Sequence, residues 1–203
     1  MIVEDIFDRT GQAYLCMIHP VRKGNVYRQE IAPVLRLSAS LPDELVSSMI
    51  AGGGWRERLL GVCMGMAKRP VSFLEPMLRS LRDPRGIAIV PTCAALALLS
   101  RRGLFDIGRL SGGGFDRSAF DGELGWAVDN ARHFAASEPQ SGEGRGSNYG
   151  QVFEDQAEMY EWIVDGQSIE PTGGSRFRAC AFVSQWRLPP VAHASRSAME
   201  TYV

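Results

Sequence analysis

The side chains with the most chemistry to offer are carboxylates. Glu154, Asp155, Glu158 and Glu161 recur at offsets of three and four between Gln151 and Asp165, a spacing that stacks side chains along one face of a helix. Such a row can hold a hard cation, share a proton in acid–base work, or stand as a solvated acidic face. The solvated face is the expectation here. Two further constellations invite a catalytic reading and fall short of one. Cys16 precedes His19 by three residues, which makes a nucleophile and base only where a fold brings them together; a buried thiol beside a turn histidine is the simpler reading. Gly142, Gly144 and Gly146 resemble a phosphate loop in spacing, yet no apolar strand precedes them and no Lys-Ser/Thr follows, so a linker is expected.

His19, His133 and His193 lie far apart, and none of the H-E-x-x-H, H-x-E with P-C-x-x-C, or G-x-S-x-G patterns occurs. Cys16, Cys63, Cys93 and Cys180 show no C-x-x-C spacing, which points to reduced, buried thiols rather than a metal centre or a disulfide. No cofactor and no metal are expected, and binding is favoured over catalysis. Of Trp55, Trp126, Trp162 and Trp186, only Trp55 sits beside basic residues, Arg56 and Arg58; the four are read as core or interface residues rather than base-stacking platforms.

The formal net charge of minus one conceals a division along the chain. Residues 51–110 carry ten Lys/Arg against four Asp/Glu, a net of plus six, whereas residues 111–172 carry three Arg against twelve Asp/Glu, a net of minus nine. Separated charge of this size steers association, or lets the two regions face each other. No run of about 20 apolar residues spans a membrane and no basic, apolar leader follows Met1, so a cytoplasmic location is expected.

These residues need elements to position them, and the pattern is helical throughout. Trp55 to Ala67 repeats apolar residues at three and four, with Gly61 and Gly65 in its interior. Each glycine costs about 1 kcal/mol against Ala there, which predicts the close approach of another helix backbone. Pro70 breaks the pattern, Ser72 is placed to cap a new start, and Phe73 to Leu81 resumes it. Pro91 suits a first turn, and Thr92 to Ser100 is apolar all round, as a central helix should be. Leu59, Leu60, Cys63, Leu78, Leu96 and Leu99 are the expected core. Before this block, Met1 to Ile18 reads as a short helix followed by a helix or strand, Val26 to Leu37 as a helix interrupted or begun near Pro33, and Leu41 to Ala51 as a helix stopped by Gly52, Gly53 and Gly54. Beyond it, Asp116 to Ala136 reads as one long helix, residues 137–150 as a mobile Gly/Ser-rich loop, Gln151 to Asp165 as a helix, and Arg176 to Trp186 as a strand by alternation or a helix by length, with helix favoured.

The pairs 41–51 with 55–67 and 72–81 with 91–100 start about 30 residues apart, the length of a helical repeat. The run Trp55-Arg56-Glu57-Arg58-Leu59-Leu60-Gly61, with the apolar 91–99 helix behind it, resembles the paired helices of HEAT-like bacterial proteins across residues 41–100. That resemblance implies a packing pattern and carries no site residue. The expected protein is all-α, a HEAT-like repeat or irregular helical bundle, with a helical core over 1–110 and a C-terminal helical region over 111–203, the two forming one compact domain. The expected function is protein binding, in the form of an immunity protein that neutralises a bacterial toxin. Its acidic face would be Glu154, Asp155, Glu158 and Glu161, with Asp116, Asp121 and Glu123 as neighbours and Tyr160 and Trp162 as apolar anchors for a basic partner protein. The alternatives are a nucleic-acid-acting enzyme of the HEAT-like glycosylase kind and a non-inhibitory adaptor; nucleic acid and membrane partners are not expected.

Overall fold

A computed structural model of the chain describes residues 3–18, 26–112, 114–136 and 146–166, and these residues are helical, with no strand among them. The helices are α1 (Val3–Thr10), α2 (Ala13–Ile18), α3 (Val26–Ser38), α4 (Asp43–Ala51), α5 (Trp55–Ala67), α6 (Leu74–Arg82), α7 (Ile89–Arg101), α8 (Glu123–Ala135) and α9 (Gly146–Val164). One hydrophobic cluster runs from Ile6 in α1 to Ile163 in α9. No helix among the described residues is long and apolar enough to cross a membrane.

The centre of the packing is α7, every residue of which from Ile89 to Leu99 is buried. A helix that is apolar on all sides is stable only where neighbours cover all sides, and α5, α6, α8 and α9 all pack on it. Leu59, Leu60, Cys63, Leu78, Leu96 and Leu99 are buried as the periodicity predicts. Helices α4 and α5 form an antiparallel hairpin held at both ends. Lys68 Nζ, just past α5, donates to the carbonyl of Leu41 and pairs with Asp43 Oδ1 at 2.9 Å, beside the first turn of α4. At the other end Arg58, on the first turns of α5, reaches back to the carbonyls of Ala51 and Gly52.

Gly61 is where the hairpin closes most tightly. A Cβ there would fall 2.7 Å from the backbone nitrogen of Ile50 and 3.0 Å from the carbonyl carbon of Met49, so the backbone of α4 itself occupies the space a side chain would need. Gly65 faces the side chains of Ile50 and Phe73 instead, at 3.2 Å. Gly61→Ala should therefore cost about 1–3 kcal/mol despite the higher helix propensity of Ala, and more than Gly65→Ala, because side chains can shift and a helix backbone cannot. Urea unfolding of the two variants checks the order; equal midpoints would remove the assigned contact.

Several elements differ from the sequence expectation. Of the helix or strand expected over 13–18 the structure has the helix, whereas α3, expected to break or begin near Pro33, runs unbroken through it. A proline inside a helix removes the bond to the carbonyl four residues earlier, here that of Gln29, an exposed residue whose carbonyl water can serve. Ser72 does not cap: a 3-10 turn over Pro70–Phe73 runs directly into α6, with no side-chain cap. The single helix expected over 116–136 is a turn followed by α8. Phe120, Asp121 and Gly122 have φ of 54°, 55° and 82°, left-handed backbone that no α-helix contains. Arg117 anchors this turn by donating to both oxygens of Asp129 at 2.7 Å. Helix α9 opens at Gly146, so the 146–150 part of the expected loop is helical. The rest of that loop, 137–145, and the 176–186 segment lie outside the described residues.

Candidate functional site

The residues proposed from sequence as an acidic docking face do not form one surface with aromatic anchors. Glu154, Glu158 and Glu161 do line the exposed side of α9. Asp155 does not: it is buried and accepts a hydrogen bond from Gln151 Nε2 at 2.8 Å. Tyr160 and Trp162, the expected anchors, face the core at 0% and 4% exposure. The Tyr160 hydroxyl lies buried near Cys63, and burial holds its pKa well above the ordinary value. Trp162 is covered by the Arg28 guanidinium, 5.2 Å from the ring centroid. The error is one of phase. The buried stripe of α9 includes Phe153, Gln156, Ala157 and Tyr160. Helices α5, α7 and α8 pack on α9, and Gln156 donates to the Met17 and Ile18 carbonyls of α2. A helix with that many partners buries a wide arc, taking Asp155 and Trp162 with it.

Part of the remaining acidity is also answered within the chain. Arg102 at the end of α7 pairs with Asp165 at 2.8 Å and approaches Glu161 at 3.8 Å. Loss of water around Glu158, and then the charge of Asp155, raise its carboxyl pKa, while Arg28 opposes them. Asp116, Asp121 and Glu123 lie on a different element from this face. They belong to the turn and first residue of α8, where Asp116 accepts from the amide and hydroxyl of Ser118 and Glu123 lies near Cys93. From the C-terminal end of α8, Phe134 meets α9 edge-on to Phe153 at 5.9 Å.

The cysteines among the described residues, Cys16, Cys63 and Cys93, are all buried. Cys63 and Cys93 are wholly buried, and burial pushes the Cys63 thiol up to about 12 and the Cys93 thiol higher; a thiol so placed is neither nucleophile nor ligand. Cys16 is buried too, and its thiol donates to the Glu30 carboxylate. His19, the histidine three residues on, lies outside the described residues. Among the described residues no group of three or more His, Cys, Asp or Glu side chains is placed to hold a metal.

A different constellation is assembled where the N-terminal helices meet the start of α5. Gly11, with φ of 56°, reverses the chain between α1 and α2, and its amide closes α1 by donating to the Phe7 carbonyl at 2.7 Å. That reversal sets Phe7 and Tyr14 edge to face at 6.2 Å, and Tyr14 in turn meets Trp55 edge to face at 5.7 Å. The Arg56 guanidinium lies over both of the latter rings, 4.9 Å from the Trp55 centroid and 5.5 Å from that of Tyr14. Together with Asp8, Gly11, Gln12, Gly54 and Glu57 these side chains line an open cleft of about 590 Å³. Its three rings are only half-buried, whereas Phe73, Phe153 and Tyr160 are sealed in the core at 0%.

Of this cleft, sequence reasoning singled out Trp55 and Arg56 and missed Phe7 and Tyr14. The available signal was their seven-residue separation across a glycine break, with one aromatic on each of two successive short helices. It also grouped Arg58 with Arg56, and the structure separates them: Arg56 is exposed on the cleft, while Arg58 is 1% exposed inside the hairpin. Comparison of the chain with protein-family models, with curated proteins and with solved structures finds no match.

Proposed function

We propose that the protein is a protein-binding module whose docking site is the Phe7–Tyr14–Trp55–Arg56 cleft. The observation that supports this reading is the composition and exposure of that cluster. Trp, Tyr and Arg are the side chains in which interface energy concentrates, and here they are stacked on one another, half-exposed and held on rigid helices. Stacking removes rotamer freedom before a partner arrives, which lowers the ordering cost of association. The HEAT-like description of the scaffold belongs to the same proposal; what supports it is that α4 packs on α6 and α5 on α7, as in stacked helix pairs. A second reading, an acidic face that neutralises a basic toxin domain, is favoured by the exposed stripe of Glu154 and Glu158 on α9.

Recovery of a partner from an extract of the native host by tagged wild-type protein and by variants separates the two. Trp55→Ala should weaken capture by roughly 10- to 100-fold, the cost of about 1.4–2.8 kcal/mol for a central aromatic, with a thermal midpoint close to that of the wild type. Charge reversal at Glu158 and Glu161 should leave capture unchanged. The opposite pattern, capture lost on charge reversal and kept in Trp55→Ala, would move the site to α9.

A further inference from the structure

We infer that the cleft receives an acidic side chain, the carboxylate of an Asp or Glu on a partner's peptide segment, with Arg56 as the group that binds it and the three rings packing the residue beside it. The inference rests on the docking reading above and adds the chemistry of the ligand. Arg56 is exposed and forms no ion pair among the described residues; its contacts are the faces of Trp55 and Tyr14. With no hydrogen bond and no ion pair among the described residues, its N–H donors remain open, and the planar guanidinium holds them in one plane. That is the arrangement that binds a carboxylate through two parallel hydrogen bonds. A Lys or Arg inserted beside Arg56 would meet a like charge, which argues against a cation as the inserted group.

The rim narrows the choice of anion. Asp8 and Glu57 line the same cleft and likewise form no ion pair among the described residues. Two carboxylates beside one guanidinium repel a phosphate dianion or a nucleic-acid backbone more than they repel a single carboxylate. They also favour Lys or Arg elsewhere on the same segment.

Selection of a random-peptide phage library on the wild-type protein, followed by fluorescence anisotropy with synthetic copies of the selected peptides, tests the assignment. Selected peptides should carry an Asp or Glu beside an aromatic or aliphatic residue. Replacing that residue by Asn or Gln, or Arg56→Gln in the protein, should each weaken binding about tenfold, and both together no more than either alone. Peptides whose binding is lost in Trp55→Ala yet is indifferent to Arg56→Gln, or which require Lys or Arg as the inserted group, would overturn the carboxylate assignment and leave the docking site standing. Sensitivity to amidation of the peptide's C-terminus in place of sensitivity to the Asp or Glu would overturn the side-chain source. Absence of any selected peptide sensitive to Trp55→Ala would overturn the docking site and the inference together.

Discussion

Replacing Arg58 by Ala should lower folding stability by about 3–5 kcal/mol, the cost of emptying a buried, hydrogen-bonded charge site, and drop the thermal midpoint by roughly 10 °C. Arg58 is 1% exposed and sits where two helices end. Its Nε donates to the Gly52 carbonyl at 3.0 Å and its Nη2 to that of Ala51 at 3.4 Å, at the end of α4. Its Nη1 donates to the Ser80 carbonyl at 3.0 Å, the Ser80 hydroxyl at 3.2 Å and the Asp83 carbonyl, at the end of α6. The last carbonyls of a helix have no partner within it and carry the negative end of the helix dipole. One guanidinium therefore completes two helices from the side of a third.

Burial lowers the Arg58 pKa, and the Asp83 hydrogen bond raises it again; an arginine so placed stays charged. The pair with Asp83 at 3.2 Å is not the main source of stability, because Asp83 is 62% exposed and also bonds Arg85. Asp83→Asn should cost less than about 1 kcal/mol. Arg58→Lys should recover little, since an ammonium has three donors at one point and cannot span both helix ends. Chemical denaturation of the three variants decides it; equal losses for Arg58→Ala and Asp83→Asn would mean that the ion pair, and not the carbonyls, is what matters.

Leu96→Ala should cost about 2–5 kcal/mol. Leu96 is 0% exposed near the middle of α7, the helix on which α5, α6, α8 and α9 converge. Removing its isobutyl group loses transfer energy and leaves a cavity, and the cavity term is largest where the walls cannot collapse inward. Neighbouring helices on all sides hold those walls in place. Leu45, on the half-buried side of α4, is the comparison: Leu45→Ala should cost much less, because solvent and flexible side chains close over the gap. Urea midpoints showing no loss in Leu96→Ala would displace α7 from the centre of the core.

What the sequence determined by itself was local. Apolar residues at offsets of three and four, closed by Gly and Pro, specify helices at α4, α5 and α7, with α5 at its expected bounds and the starts of α4 and α7 two residues away from theirs, because period and punctuation are properties of the chain alone. The all-round apolarity of 92–99 specifies burial for the same reason. Gly61 announced its close contact by its cost in a helix, although not which backbone would fill the space. The tertiary structure decided the rest. Whether a charged side chain is outside or inside depends on what lies opposite it: Arg56 and Arg58 are two residues apart on one helix, yet one meets two aromatic rings and solvent and the other meets four backbone carbonyls. On α9 the width of the buried arc is set by the number of helices that cross it, so Asp155, Tyr160 and Trp162 left the surface that their neighbours Glu154, Glu158 and Glu161 kept. The cleft joins residues 7, 14 and 55, a juxtaposition made by the packing of α1 and α2 against the rest, and long-range contact of that kind leaves no periodicity in the sequence to read.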